Sequence, residues 1–166
     1  SDALASIFRD LMQAIRPLRD DIDRTFSQIR LTTPCLMLAS AKRDHVVWVD
    51  KLIRFAIFNE NSITEAEVKD HTQCRLGHFL ASDKAEPMQQ LRSSDRLINV
   101  VHPQVHKAGR ELYKTAQEFH NKRISFDHYS ELSRELVATL KSSSDEVIDL
   151  LDDMIEEALK RGDMDC

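Results

Sequence analysis

From Leu4 onward, the apolar residues Phe8, Leu11, Ile15, Leu18, Ile22 and Ile29 recur in alternating steps of four and three, with Thr25 in the one polar slot. This heptad seam predicts a helix over roughly the first thirty residues that can pair with another along one stripe. Pro17 falls inside it. There the ring removes a backbone bond and crowds the preceding turn, at a cost of about 3 kcal/mol, so a kink or a restart is expected.

A second helix is predicted from Pro34 to about Asn59. Thr33 is placed to cap it, and Pro34 suits the first helical position, where its missing N–H is not needed. Its buried stripe is Leu38, Ala41, His45, Trp48, Leu52 and Phe55, so His45 lies in an apolar seam. The polar stretch "NENSITEAEVKD" predicts a loop with one helical turn, after which Asp70 is expected to cap a short helix carrying His71, Cys74, Leu76, Gly77 and Phe79. A further loop, "SDKAEP", leads through Leu91, Leu97 and Ile98 into "HPQVH", residues 102–106. The stripe then continues as His102, Val105, Gly109, Leu112, Ala116 and Phe119, which turns His102 and His106 inward. Ser125 is expected to cap a last helix reaching Gly162, on the order of 50 Å long at 1.5 Å per residue. Its seam is Leu136, Leu140, Ser143, Val147, Leu150 and Met154.

The pattern therefore predicts an all-α protein: an antiparallel four-helix bundle over residues 34–162, preceded by a long helical, coiled-coil-like segment over 1–33. The composition agrees, with only three glycines and four prolines in 166 residues. The formal net charge of -5 opposes general binding to nucleic acid or to an anionic membrane, which both depend on a basic field. Apolar runs such as "CLMLA" and "VVWV" fall far short of the roughly 20 residues that span a bilayer. Three widely spaced cysteines, Cys35, Cys74 and Cys166, are poor material for a disulfide framework and point to a reducing, cytoplasmic setting. The seams on the first and last helices are longer than one bundle needs, which favours a homodimer.

Four side chains bring chemistry to the predicted interior: His45 from one helix, Cys74 from another, His102 and His106 from a third. Each has an ordinary reading alone. A buried histidine is most often a satisfied core residue, and a buried free cysteine a small hydrophobe. Together they are less ordinary. Three imidazoles and one thiolate form a closed tetrahedral set suited to Zn²⁺. The i, i+4 spacing of His102 and His106 stacks their rings one turn apart on one side of a helix. Gly77 and Gly109 each follow a candidate ligand by three positions, where a close backbone approach would offset the roughly 1 kcal/mol that a helical glycine costs. His71 and His78 flank Cys74 as substitutes but are expected at the solvated surface, as are Asp44, His120 and His128. Trp48 is expected as a core anchor one turn from His45.

In order, "HVVW" at 45–48, "CRLGHF" at 74–79 and "HPQVH" at 102–106 resemble the chemoreceptor zinc-binding domain family. Its pattern is His-x-x-Trp, then Cys-x-hydrophobic-Gly-x-aromatic, then His-x-x-x-His, with Phe79 here where tryptophan is commoner. The resemblance is strong over residues 36–119. It implies a helical, commonly dimeric bundle with His45, Cys74, His102 and His106 as zinc ligands. It also implies a regulatory role, not an enzymatic one, beside a bacterial signalling effector such as a chemotaxis receptor or a diguanylate cyclase, in the same chain or a partner. The signal would be zinc or an oxidant such as hypochlorous acid, with Cys74 the redox-sensitive residue. A purely structural zinc and, further off, a metallohydrolase or di-iron bundle are the rival readings.

Overall fold

A computed structural model describes residues 6, 7, 10, 11, 13, 14, 17, 20, 21, 33–162, 164 and 166. Most of the N-terminal seam lies outside these residues; Pro17 itself is helical and exposed, while its neighbours 15, 16, 18 and 19, on which the expected break depends, lie outside them. Among the described residues there is no strand, and no helix is long and apolar enough to cross a membrane.

Among the described residues three long helices make the frame: α1 (Pro34–Phe58), α5 (His102–His120) and α6 (Phe126–Arg161). Between α1 and α5 lie α2 (Arg75–Leu80), α3 (Glu86–Gln89) and α4 (Ser94–Arg96), with single 3₁₀ turns at Glu65–Glu67 and Asp83–Ala85. Cross-contacts fix the directions. His45 meets His102 and His106 while Phe55 stacks on Tyr113, so α1 and α5 run parallel. The Tyr129 hydroxyl donates to the Ala56 carbonyl at 2.6 Å while Lys42 pairs with Asp152, so α6 runs antiparallel to α1. The parallel pair requires the crossover through residues 59–101, and that crossover carries the cysteine.

The boundaries follow local chemistry. Pro34 opens α1, and Thr33 is extended as a cap residue should be, yet its hydroxyl is buried with no hydrogen-bond partner. The cap is thus one of backbone geometry, not of side chain. α1 stops at Asn59, one of the few residues that tolerate the left-handed conformation, at φ 52°. Ser125 caps α6 by accepting from the His128 N–H at 3.3 Å, and Gly162 ends it at φ 67°. α4 runs through a π-helical turn, Leu97–Val101, directly into α5. Pro103 explains the widened turn: its ring cannot donate to residue 99 and would crowd that carbonyl in a regular helix.

The stripes meet in one core. Leu38, Leu52, Leu112, Leu140, Val147, Leu151 and Met154 are fully buried, and truncating one such leucine to alanine costs about 2–5 kcal/mol. The reading of the cysteines as poor material for a disulfide framework does not anticipate one pair: Cys35 and Cys166 are joined, 131 residues apart in sequence. Antiparallel packing of α6 on α1 returns the end of the chain to the start of the bundle, which spacing along the chain does not reveal.

Candidate metal centre

His45, on α1, is 4% exposed among apolar neighbours. Its Nδ1 lies 2.8 Å from the Ala41 carbonyl. Because a carbonyl only accepts, Nδ1 carries the proton, and the lone pair sits on Nε2. That Nε2 is buried with no hydrogen-bond partner. His106, on α5, repeats the arrangement: Nδ1 donates to the Lys69 carbonyl at 2.9 Å, and Nε2 is likewise buried without a partner. An orphaned buried nitrogen ordinarily costs about 1–3 kcal/mol. Two of them, both with lone pairs aimed inward, need a compensating electrophile.

His102 opens α5 one turn before His106 and is 1% exposed. Its Nε2 lies 3.2 Å from the Cys74 sulfur. The ring centroids of His45, His102 and His106 are 4.9–5.6 Å apart, with steep angles between their planes. Together with the Cys74 sulfur, one ligand atom from each imidazole lies within 4.8 Å of all the others. A tetrahedral zinc with bonds of about 2.0–2.3 Å has donors roughly 3.3–3.6 Å apart, so a small contraction suffices. The donor set fits a zinc ion.

Cys74 is placed by a cap the sequence pattern misassigns. The expected cap, Asp70, instead folds an Asx turn, accepting from the Thr72 N–H and hydroxyl at 3.0 Å each, and binds Arg110 of α5 at 2.7 Å. Cys74 itself caps α2, its sulfur accepting from the Gly77 N–H at 3.3 Å. The reason is tertiary: Arg110 captures the carboxylate, leaving the next extended residue to start the helix.

The glycines mark close approaches. A Cβ on Gly77 would lie 2.0 Å from the His71 carbonyl oxygen, and one on Gly109 would lie 2.2 Å from the Trp48 ring. Trp48 is half-buried. Its ring lies 4.7 Å from that of His106, and its Nε1 donates to the Glu67 carbonyl at 2.9 Å. It braces a candidate ligand as well as packing the core. The sequence pattern leaves unnoticed a capping box, Thr64 with Glu67, whose Thr-x-x-Glu signature was there to be found.

Of the other histidines, His78 and His128 are exposed as expected. His71 is half-exposed, paired with Asp70 at 3.1 Å, and its ring lies 5.7 Å from that of His102, beside the cluster. His120 departs from expectation: it packs edge-on to Phe55 and is half-buried. Asp44 pairs with Arg75 at 3.2 Å near the mouth of the site.

Burial dominates the electrostatics. Desolvation pushes all three cluster imidazoles below their ordinary range, His106 to about 4, and raises the Cys74 thiol. The imidazoles are therefore neutral and ready to donate, whereas the thiol needs a neighbouring cation to ionise. A cleft of about 610 Å³, lined by Asp44, His45, Trp48, Glu67, Cys74 and His106 among others, opens onto the cluster.

Residues 45–113 match the model of the chemoreceptor zinc-binding domain. The matched stretch begins at His45 and contains all four clustered residues. No curated protein and no solved structure matches the chain. The chemoreceptor zinc-binding domain match, the helical architecture and the donor set agree with one another: residues 45–113 are similar to that domain and carry a cluster able to hold a metal.

Proposed function

We propose that this protein is a regulatory zinc-binding domain of a bacterial signalling system, with His45, Cys74, His102 and His106 holding one ion per chain. The observation that carries this reading is the convergence of four soft or borderline donors in which His45 Nε2 and His106 Nε2 are buried and unpartnered. When bound, zinc would supply charge that holds Cys74 as a thiolate and closes the four donors into one unit.

The chain's own residues do the rest. Ala41 and Lys69 carbonyls fix the tautomers of His45 and His106, the α2 cap aims the sulfur, and Trp48 excludes water from one side. Because the donors come from α1, α5 and the crossover, any change at Cys74 alters how those elements pack, and that change is the output. Attack of the Cys74 thiolate on hypochlorous acid yields, after hydrolysis of the sulfenyl chloride, a sulfenic acid and chloride. Two electrons pass from sulfur to chlorine; the oxygen of hypochlorous acid leaves as hydroxide, and the sulfenic oxygen comes from the hydrolysing water, which gives up a proton as chloride departs. The sulfenic acid is a poor donor, so the crossover is released first. The chain works as a homodimer attached to or partnered with a chemotaxis receptor or a diguanylate cyclase. A set of four protein donors leaves no position for substrate, which favours a regulator over a metallohydrolase.

The test is elemental analysis of purified protein beside the Cys74→Ala variant. One zinc per wild-type chain is expected. Sharing an apparent zinc affinity of about 10–16 kcal/mol among four ligands assigns about 3 kcal/mol to each, so the variant should bind about 100-fold more weakly. Unchanged affinity would remove Cys74 from the site. Zinc retained, with Cys74 unmodified, after stoichiometric hypochlorous acid would favour the alternative, a dimerising module with a structural zinc.

A further inference from the structure

The two cysteines outside the cluster form a second site. Cys35 is the second residue of α1 and 8% exposed, and it is bonded to Cys166 with Cα atoms 5.1 Å apart. The geometry behind this is built, not incidental. Gly162 takes φ 67° at the end of α6 and turns the chain back. Met164 then packs against the core, and the Cys166 N–H donates to the Met164 carbonyl at 2.8 Å. Cys166 is exposed, so one of the two sulfurs is open to solvent. His45 lies ten residues along α1 from Cys35, about 15 Å away, so this pair is separate from the candidate metal donors.

We propose that Cys35 and Cys166 are a reversible thiol–disulfide modification site, taking low-molecular-weight thiols and disulfides of the glutathione class, that clasps the end of α6 to the base of α1. In reduction, a small thiolate attacks the exposed Cys166 sulfur. The bond between the two cysteines breaks, Cys35 leaves as a thiolate and takes up a proton, and a mixed disulfide remains on Cys166. A second small thiol displaces it, so that two small thiols are oxidised to one small disulfide while Cys35 and Cys166 become thiols. Oxidation by the small disulfide runs the same steps backwards. Attack is directed to Cys166 because the Cys35 sulfur is covered by the bundle.

The consequence lies at the start of α1. With the clasp closed, the tail after Gly162 is held against the start of α1. With it open, Met164 and Cys166 are no longer tied to α1, and the base of α1 loses that cover. Closing a loop of 131 residues also restricts the unfolded chain strongly.

The experiment uses the zinc-loaded full chain, equilibrated in mixtures of reduced and oxidised glutathione, quenched with iodoacetamide and digested for mass spectrometry. A peptide linking Cys35 to Cys166 should dominate in oxidising mixtures and disappear in reducing ones, with the oxidised form melting about 10 °C higher. Both residues fully alkylated in every mixture would overturn the proposal. So would linkage predominantly through Cys74. Cys166→Ser, at an exposed position that should not disturb folding, is expected to abolish the linked peptide and the melting shift, and a shift that persists in that variant would equally overturn it. Zinc measured in the reducing mixtures reports on the metal site separately: a chain that holds no zinc there, while the linkage still forms in oxidising ones, counts against the proposed function and leaves the clasp standing.

Discussion

At the scale of single residues, the site depends as much on two missing methyl groups as on its donors. A methyl at Gly109 would meet a Trp48 ring that is held from its other edge by Glu67 and touches His106. The ring is tethered by that hydrogen bond and backed by His106, so it yields only by shifting toward the cleft it lines and straining both contacts. Gly109→Ala is therefore expected to destabilise the fold by about 1–3 kcal/mol through overpacking, net of the roughly 1 kcal/mol that alanine gains in a helix. The urea midpoint measures this, and introducing Trp48→Phe alongside should recover part of the loss; a fully additive pair would mean the clash is elsewhere. Gly77→Ala meets backbone at residues 71 and 72 instead of a side chain. That backbone leads to Cys74, so zinc affinity should fall together with stability.

At the scale of elements, the polar contacts that hold the crossover before α2 to the frame include Lys51 to Glu67, Trp48 to Glu67, His106 to Lys69 and Arg110 to Asp70. The last is partly exposed on both sides, and as an ion pair it contributes less than about 1 kcal/mol to global stability. Its larger effect is on position, because releasing Asp70 frees the turn that sets Cys74. Arg110→Ala should lower zinc affinity by roughly tenfold with helicity unchanged, as loss of an outer partner of a metal site commonly does. Competition against a chelator measures the first, and circular dichroism the second. The same crossover shows where the sequence stops being legible. The stripe of Leu38, Ala41, His45 and Leu52, the Thr33–Pro34 start, Ser125 and Gly162 all mark α1 and α6 directly, because helix period and caps are local properties. The four clustered donors are legible for the same reason, each standing on or beside such a stripe. Asp70 as a cap is not, since Arg110 lies forty positions away and decides the outcome. The half-burial of His120 and the pairing of Cys35 with Cys166 depend likewise on how helices meet.

At the scale of the whole molecule, the cluster couples folding to both metal and protons. Without metal, His45, His102 and His106 are neutral in the fold, with His106 held at about 4, whereas an unfolded chain titrates them near 6.5. Between those values the unfolded chain binds more protons, so stability rises with pH. The contribution is fully present above about 6.5 and is lost as pH falls through the folded values. Glu67, held to about 2 chiefly by Lys51, acts with the same sign at lower pH. Urea midpoints of chelated protein should therefore fall steadily from pH 6.5 to 4 and be nearly flat between 7 and 8, and His102→Leu should shallow the slope. A flat profile throughout would mean that the imidazoles are as free to protonate in the fold as in solution. Adding zinc at 100 times its dissociation constant should raise stability at pH 7.5 by about 2.7 kcal/mol. Because burial keeps the Cys74 thiol protonated until a cation arrives, binding should release a proton there, visible in calorimetry as a heat that varies with the ionisation enthalpy of the buffer. Cys74→Ser should abolish most of that release, since a serine hydroxyl does not ionise on the same terms, and its persistence would place the displaced proton on another group.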